Sequence, residues 1–295
     1  MNITAKEVAA LRDMTGAGMM DCKKALVEAE GNMDKAVEIL REKGIAKAAK
    51  KEGRIAAEGI VGALVEGNTG VIAEINCESD FVAKGEPFRN IMNTVLRVIL
   101  EQRPADVEAL LECKLEEGTV KDYMTAQTVA IGEKLSIRRF EVYTTEGKLE
   151  TYIHMGGKVG VMVEANPFTS GEDVLHDVAL QIAAANPSYV NESEVPAEII
   201  AREKEILLAQ MQNDEKNANK PKEILEKIVT GKIGKYYTEN CLMNQLFVKD
   251  DSLTISKVVG DKFTVVRFVR WTMGEGLEKR NDDFAAEVAA QSQAK

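Results

Sequence analysis

Residues 67–76 read GNTGVIAEIN, and residues 157–166 read GKVGVMVEAN. The two align without a gap and are identical at five of ten positions: Gly67/Gly157, Gly70/Gly160, Val71/Val161, Glu74/Glu164 and Asn76/Asn166. Self-similarity of this kind marks a duplicated structural unit. Each copy follows a second strand-like run, IVGALVE (60–66) or ETYIHM (150–155), so each unit opens as a hairpin with a glycine-bearing turn. Each is followed by an apolar helix, FRNIMNTVLRVIL (88–100) or DVLHDVALQIAAA (173–185). A third strand also recurs, because RFEVYT (139–144) and RFVRWT (267–272) share Arg-Phe and an aromatic-Thr step.

The offsets set the architecture. The hairpins lie 90 residues apart, from 67 to 157, whereas the third strands lie 128 apart, from 139 to 267. The difference of 38 is extra chain inside the second unit. PAEIIAREKEILLAQM (196–211) and KPKEILEKIVTGKIGKYY (220–237) flank a polar tip, NDEKNAN, and read as an antiparallel helical hairpin. Its apolar stripe is Ile199, Ile200, Ile206, Leu207, Ile224, Leu225 and Ile228. The last stretch, NDDFAAEVAAQSQAK (281–295), reads as one final amphipathic helix.

Ahead of the duplication, the first fifty residues read as three short helices. Thr4 and Glu7 form a T-x-x-E capping box before VAALRDM, and Gly16 and Gly18 break the chain. MMDCKKALVEAE follows, with Gly31 expected at the C′ position and Asn32 as N-cap of MDKAVEILREKG. A bundle this small is marginal alone, so it leans on something or serves as a docking module. The stretch IAKAAKKEGRIAAEG (45–59) reads as a helical linker with a solvated lysine face.

Composition narrows the function classes. The chain has 295 residues, 45% of them apolar, with 38 basic against 48 acidic side chains and a net charge of −10. That balance argues against nucleic-acid binding, which rests on phosphate neutralisation, and 5% aromatic content leaves few stacking platforms. The four cysteines, Cys22, Cys77, Cys113 and Cys241, are isolated, and His154 and His176 have no neighbours at metal-ligand spacing, so we expect neither a zinc site nor a disulfide framework. No cofactor is expected. No apolar run approaches the length needed to span a bilayer, and the N-terminus shows no cationic and apolar leader, so a reduced, cytoplasmic setting is expected.

A search for chemistry finds little. GALVEGN (62–68) lacks the lysine of a phosphate loop, GAGMMD (16–21) lacks the third glycine of a dinucleotide fingerprint, and GGKVG (156–160) belongs to a hairpin turn. No G-x-S-x-G is present. His154, in a strand beside that turn, and His176, on a helix, lie on different elements and read as structural residues rather than bases. The chain is built to hold another macromolecule. One stretch stands out, ESDFVAK (78–84), read as a loop between a buried strand and the helix that starts near Phe88. It sets a bare aromatic beside a carboxylate, and on residue type alone Phe81 would fold back into the core.

These pieces together resemble one family. TGAGMMDCKKALVEAEGNMDKAVEILREKG (15–44) is similar to the N-terminal signature of bacterial elongation factor Ts, Ser79-Asp80-Phe81-Val82 to that family's T-D-F-V motif, and DDFAAEVAA (282–290) to its ending. Ser79 in place of threonine keeps the hydroxyl and loses a methyl.

The resemblance implies an α+β fold: a ubiquitin-associated-like three-helix domain, 1–50, with linker to about 58; core subdomain 1, 59–145; core subdomain 2, 146–187 and 236–275; a helical hairpin, 188–235; and a C-terminal helical module, 276–295. It implies a guanine nucleotide exchange factor for elongation factor Tu, making no bond itself. Ser79, Asp80, Phe81 and Val82 would enter the partner's nucleotide domain, Phe81 wedging between its helices and displacing bound Mg²⁺. Met19 and Met20 are implied as further contacts, and His154 is carried as another. One of the two methionines would otherwise belong to the helical core, since consecutive helical residues cannot face one direction. The hairpin is implied in self-association, as homodimer or heterotetramer. The rival readings are an adaptor that docks through the three-helix module and a small-molecule enzyme with a site between the repeats.

Overall fold

The computed structural model describes residues 3–213 and 222–278. It opens with three helices, α1 (Ala5–Thr15), α2 (Met19–Glu28) and α3 (Met33–Ala49). The capping box forms, with Glu7 N–H donating to Thr4 Oγ1 at 3.3 Å and Thr4 N–H to Glu7 Oε2 at 2.7 Å. Asn32 caps α3 by accepting from Lys35 N–H at 3.0 Å. The turn after α2 differs by one residue from the expectation. Glu30 takes the left-handed C′ position at φ 54°, and Gly31 follows it, donating its N–H to Leu26 O at 2.8 Å. Helix α3 is also longer than expected at 17 residues, because the Ala-Lys stretch of the linker continues it. Val8, Leu11, Cys22, Ala25, Leu26 and Ala36 form the bundle's own small core.

The first repeat follows: β1 (Glu58–Glu66), β2 (Thr69–Cys77), α4 (Asp80–Lys84), α5 (Glu86–Gln102), α6 (Val107–Glu112), α7 (Val120–Ile131) and β3 (Ser136–Thr144). The three-helix bundle leans on α7 through Gly44 against Val129 and an Arg41–Asp122 ion pair of 2.7 Å. The second repeat contains β4 (Lys148–His154), β5 (Val159–Phe168) and α8 (Glu172–Ala185), then the hairpin α9 (Ala197–Gln212) and α10 (Lys222–Asn240), a small ribbon β6 (Leu246–Phe247) and β7 (Asp250–Thr254), α11 (Ile255–Val259) and β8 (Phe263–Thr272). The sheets are antiparallel, ordered β1-β2-β3 and β4-β5-β8, so the duplicated decapeptide is the middle strand of each. Both sheets also carry a register shift directly after the shared glutamate, at Glu74 and at Glu164.

The sheets pack face to face. Outer faces are covered by helices: Val71, Ala73 and Ile75 of β2 meet α5, and Val161, Val163 and Ala165 of β5 meet α8. Between the sheets lie Val61, Ile72, Tyr143, Leu149, Met162, Val269 and Trp271. With both faces covered, every residue of β2 is buried. Gly160 is needed there, because a Cβ would stand 2.3 Å from Val61.

The repeats also exchange charges across this interface. Arg139 of the first unit lies over the Trp271 ring of the second at 4.5 Å, and Arg267 of the second lies over Tyr143 of the first at 3.9 Å. Each guanidinium also pairs with its own repeat's glutamate, Arg139 Nε with Glu74 and Arg267 Nε with Glu164, both at 2.7 Å.

The helical hairpin leaves and re-enters the second unit at one place. Ser188 N–H donates to Asn240 O, Leu242 N–H to Tyr189 O and Met243 N–H to Val190 O, at 2.9 to 3.0 Å. Helix α10 therefore runs to Asn240, beyond the exit expected near 235. Leu207, Met211, Val229 and Ile233 form its private core, joined by Ile200, Leu225 and Ile228, while Ile206 and Ile224 of the expected stripe stay exposed. Loop closure depends only logarithmically on length. Replacing residues 196–239 by a short Gly/Ser link is therefore expected to leave the two-sheet core folded, with a thermal midpoint of the core close to that of the full chain. Failure of the shortened protein to fold would show that the hairpin is no outgrowth. All but the first residue of the polar tip, the Lys220-Pro221 start of the second hairpin pattern, and all but 276–278 of the C-terminal module lie outside the described residues.

Candidate functional site

Within the stretch 78–84, residues 80–84 form a short helix where a loop was expected. Ser79 sits in extended conformation (φ −127°, ψ 153°) and its Oγ accepts from Val82 N–H at 3.4 Å, which starts α4. Asp80 lies in the first turn and Lys84 in the last, each favoured by the helix dipole, and the two pair at 2.5 Å across one turn. Lys84 holds the Asp80 carboxyl below its ordinary range, and the Lys158 ammonium adds to the effect. Gly85 ends α4 and begins α5, whose first turn carries Pro87.

That helix has one buried side. Ala83 is buried and Val82 packs partly on the first core, while Phe81 points the other way. Phe81 is 84% exposed, so the core reading of this residue does not hold. The physical reason is angular: with Val82 and Ala83 facing the sheet, a residue one step earlier on a single-turn helix faces solvent.

Beside α4 lies the turn joining β4 to β5. Its Gly157 carbonyl accepts from Val61 N–H at 2.8 Å, and Lys158 pairs with Glu58 at 2.7 Å, so β1 carries the turn on its first residues as it also carries α4. Gly157 is required here, since a Cβ would lie 2.6 Å from Ile60. His154 is exposed at the end of β4, with Nδ1 3.0 Å from Tyr152 Oη. Met155, next along, is 73% exposed, and Ile153 is exposed too. Sequence reasoning passed over both, though a methionine directly before Gly-Gly in a hairpin turn has little core to reach. His154 and His176 lie on different elements, as expected, but both rings lie against Tyr152, each 5.8 Å from it, and His176 faces Glu150 at 3.2 Å.

Among the described residues, no group of three or more histidine, cysteine, aspartate or glutamate side chains could hold a metal ion, and no helix is long and apolar enough to cross a membrane. Burial pushes the Cys77 thiol up to about 12, which keeps it protonated and unreactive.

The sequence model described as Elongation factor TS matches residues 78–275. Three proteins named Elongation factor Ts are similar along nearly the whole chain. That of Syntrophotalea carbinolica is 48% identical over 98% of this chain and 99% of its own. Those of Symbiobacterium thermophilum and of a Nitratiruptor species are 49% and 46% identical, covering at least 98% of both chains. The chain belongs to the elongation factor Ts family.

It is thus a translation elongation factor, and its N-terminal module can be read in that light. Met19 is 46% and Met20 64% exposed, so in this member of the elongation factor Ts family neither belongs to the helical core. Both stand in the first turn of α2, where the buried residues are Cys22, Ala25 and Leu26. Met14 is exposed as well, and it lines a groove of about 520 Å³ between the module and α7, with Leu40, Ile45 and Tyr123. The methionines lie on a different module from Phe81, which is attached to the core through α3 and α7.

Proposed function

We propose that this chain is a guanine nucleotide exchange factor that binds GDP-bound elongation factor Tu in the cytoplasm and promotes GDP release. The observation that carries the reading is Phe81, a large apolar side chain held bare on a helix whose opposite side is fixed to the core. Burying it in a partner is worth about 2–3 kcal/mol. Mg²⁺ requires near-ideal octahedral geometry, so an aromatic wedge that shifts one ligand-bearing segment of the partner weakens ion and nucleotide together. Asp80, Ser79 and Val82 fix the wedge, and His154 with Met155 widens the surface. The factor itself makes and breaks no bond. It favours the nucleotide-free partner, and by linkage GDP or GTP then weakens the factor's hold by the same ratio.

The test is that reciprocity. Titration calorimetry should show the chain binding nucleotide-free elongation factor Tu about a hundredfold more tightly than the GDP-bound form. Equal affinities would overturn the reading.

The exposed Met14, Met19 and Met20 favour a second reading, an adaptor docking through residues 1–50, since flexible thioethers suit such a surface. An adaptor would bind without changing the GDP off-rate. Under the exchange reading, deleting residues 1–50 is expected to weaken complex formation at least severalfold while the two-sheet core stays folded. Aggregation of the deleted form would instead mark the module as a structural part of the core. Ile206 and Ile224 on the hairpin are the residues we assign to self-association.

A further inference from the structure

Five residues make a poor helix. Nucleating the first turn costs more than one hydrogen bond returns, and the Ser79 cap on α4 is long at 3.4 Å. What fixes the helix comes from elsewhere in the chain. The Glu133 carboxylate accepts from Glu78 N–H at 3.0 Å, from Ser79 N–H at 2.9 Å and from Ser79 Oγ–H at 2.6 Å. The grip is returned: Glu78 Oε1 accepts from Lys134 N–H at 2.6 Å, and Arg54 stands 3.2 Å from the same carboxylate. Two adjacent backbone segments, 78–79 and 133–134, therefore hold each other through a carboxylate from each side.

We propose that Glu133 is a positioning residue for Phe81, setting the direction in which α4 presents it; this rests on the exchange reading above. Glu133 acts through Ser79 and not through the ring itself. It acts because Phe81 follows two residues after Ser79 on a rigid turn, so a tilt of the helix start displaces the ring. Hydrogen bonds to a charged acceptor are the strong ones, and three of them converge on this carboxylate. Gly132, in left-handed conformation at φ 87°, ends α7 directly before Glu133 and sets its approach. The same corner holds the linker from the N-terminal module, with Lys51 Nζ on Gly132 O and Lys134 Nζ on Glu52 O at 2.6 Å.

The test uses the full chain with Glu133→Ala and Glu133→Gln, alone and combined with Phe81→Ala. Two quantities are read: release of fluorescent GDP from elongation factor Tu, and amide hydrogen exchange in the free chain. Glu133→Ala removes all three bonds and is expected to slow stimulated release by about tenfold, a loss smaller than that of the ring itself, and to speed exchange at the Glu78 and Ser79 amides. Glu133→Gln, which keeps one acceptor oxygen and the side chain's shape, should fall between. In the Phe81→Ala background the further loss should vanish, because a positioning residue has nothing left to position. An equal loss in both backgrounds, or unchanged release and amide exchange, overturns the assignment. If the unaltered chain does not accelerate release, the exchange reading itself fails; if it does and Glu133→Ala is as fast, only the Glu133 assignment fails.

Discussion

Replacing Phe81 by alanine is expected to slow stimulated GDP release by about thirtyfold or more, while the thermal midpoint moves by less than a degree or two. The size follows from the apolar transfer of one aromatic ring, about 2–3 kcal/mol, at 1.4 kcal/mol per factor of ten. The unchanged stability follows from its exposure, since a side chain with most of its surface in water leaves no cavity when removed. Asp80→Ala is expected to cost less, because that carboxylate pairs mainly with Lys84 on the same exposed helix. Stopped-flow release and calorimetry on the same preparations check both halves. A loss of several kcal/mol in stability with Phe81→Ala would return the ring to the core.

Glu74→Ala is expected to have the opposite signature, a large loss of stability. Glu74 is fully buried on the middle strand of the first sheet. It accepts from Arg138 Nη1 at 3.0 Å, Arg139 Nε at 2.7 Å and the Gly274 N–H at 2.8 Å. Removing it unpairs the Gly274 N–H and leaves Arg138 and Arg139 without their carboxylate; the cost of breaking a fully buried pair, about 3–5 kcal/mol, is the upper bound, because these guanidiniums keep 25% and 30% of their surface in water. Burial pushes the carboxyl up, but the Gly274 N–H and the two guanidiniums together outweigh it and hold its pKa below the usual 4.5. A depressed native pKa means the contribution is full above the unfolded value and is lost as pH falls through the native one. Urea denaturation should therefore show the gap between the unaltered chain and Glu74→Gln constant near neutrality and closing below about pH 4.5. A gap that widened with acid would mean that the native carboxyl titrates above its unfolded value instead of below it.

The duplication was legible because its strand and turn glycines are structural necessities. The turn glycines Gly67 and Gly157 both take positive φ, 59° and 102°, and the strand glycines Gly70 and Gly160 press against Met162 and Val61 of the facing sheet, where a Cβ would stand 2.8 and 2.3 Å away. Glu74 and Glu164 persist for a related reason, each partnering the arginine opposite it. The hairpin was legible as an offset, though α10 runs further than its apolar pattern indicates, because its last residues pair with the chain at Ser188 and Tyr189 rather than with α9. The C′ position after α2 went one residue astray because two consecutive residues are left-handed there, Glu30 at φ 54° and Gly31 at φ 83°, and the first of them takes C′.

The candidate site was less legible. Motif resemblance pointed to Ser79–Val82, yet whether Phe81 faced in or out depended on which side of a single helical turn met the sheet. Five residues are too few for a periodicity to show. Met155 became visible only once Gly157 was seen seated on β1. Glu133 had no local signal at all, since the amides it holds lie 54 and 55 residues earlier in the chain.

The most direct measurement is the rate of fluorescent GDP release from elongation factor Tu after rapid mixing with excess unlabelled nucleotide, with and without the full chain. An exchange factor is expected to raise the rate by about a hundredfold, the scale of a typical coupling between two sites. A rate unchanged by saturating chain, with complex formation shown in the same solution, would contradict the account and leave the adaptor.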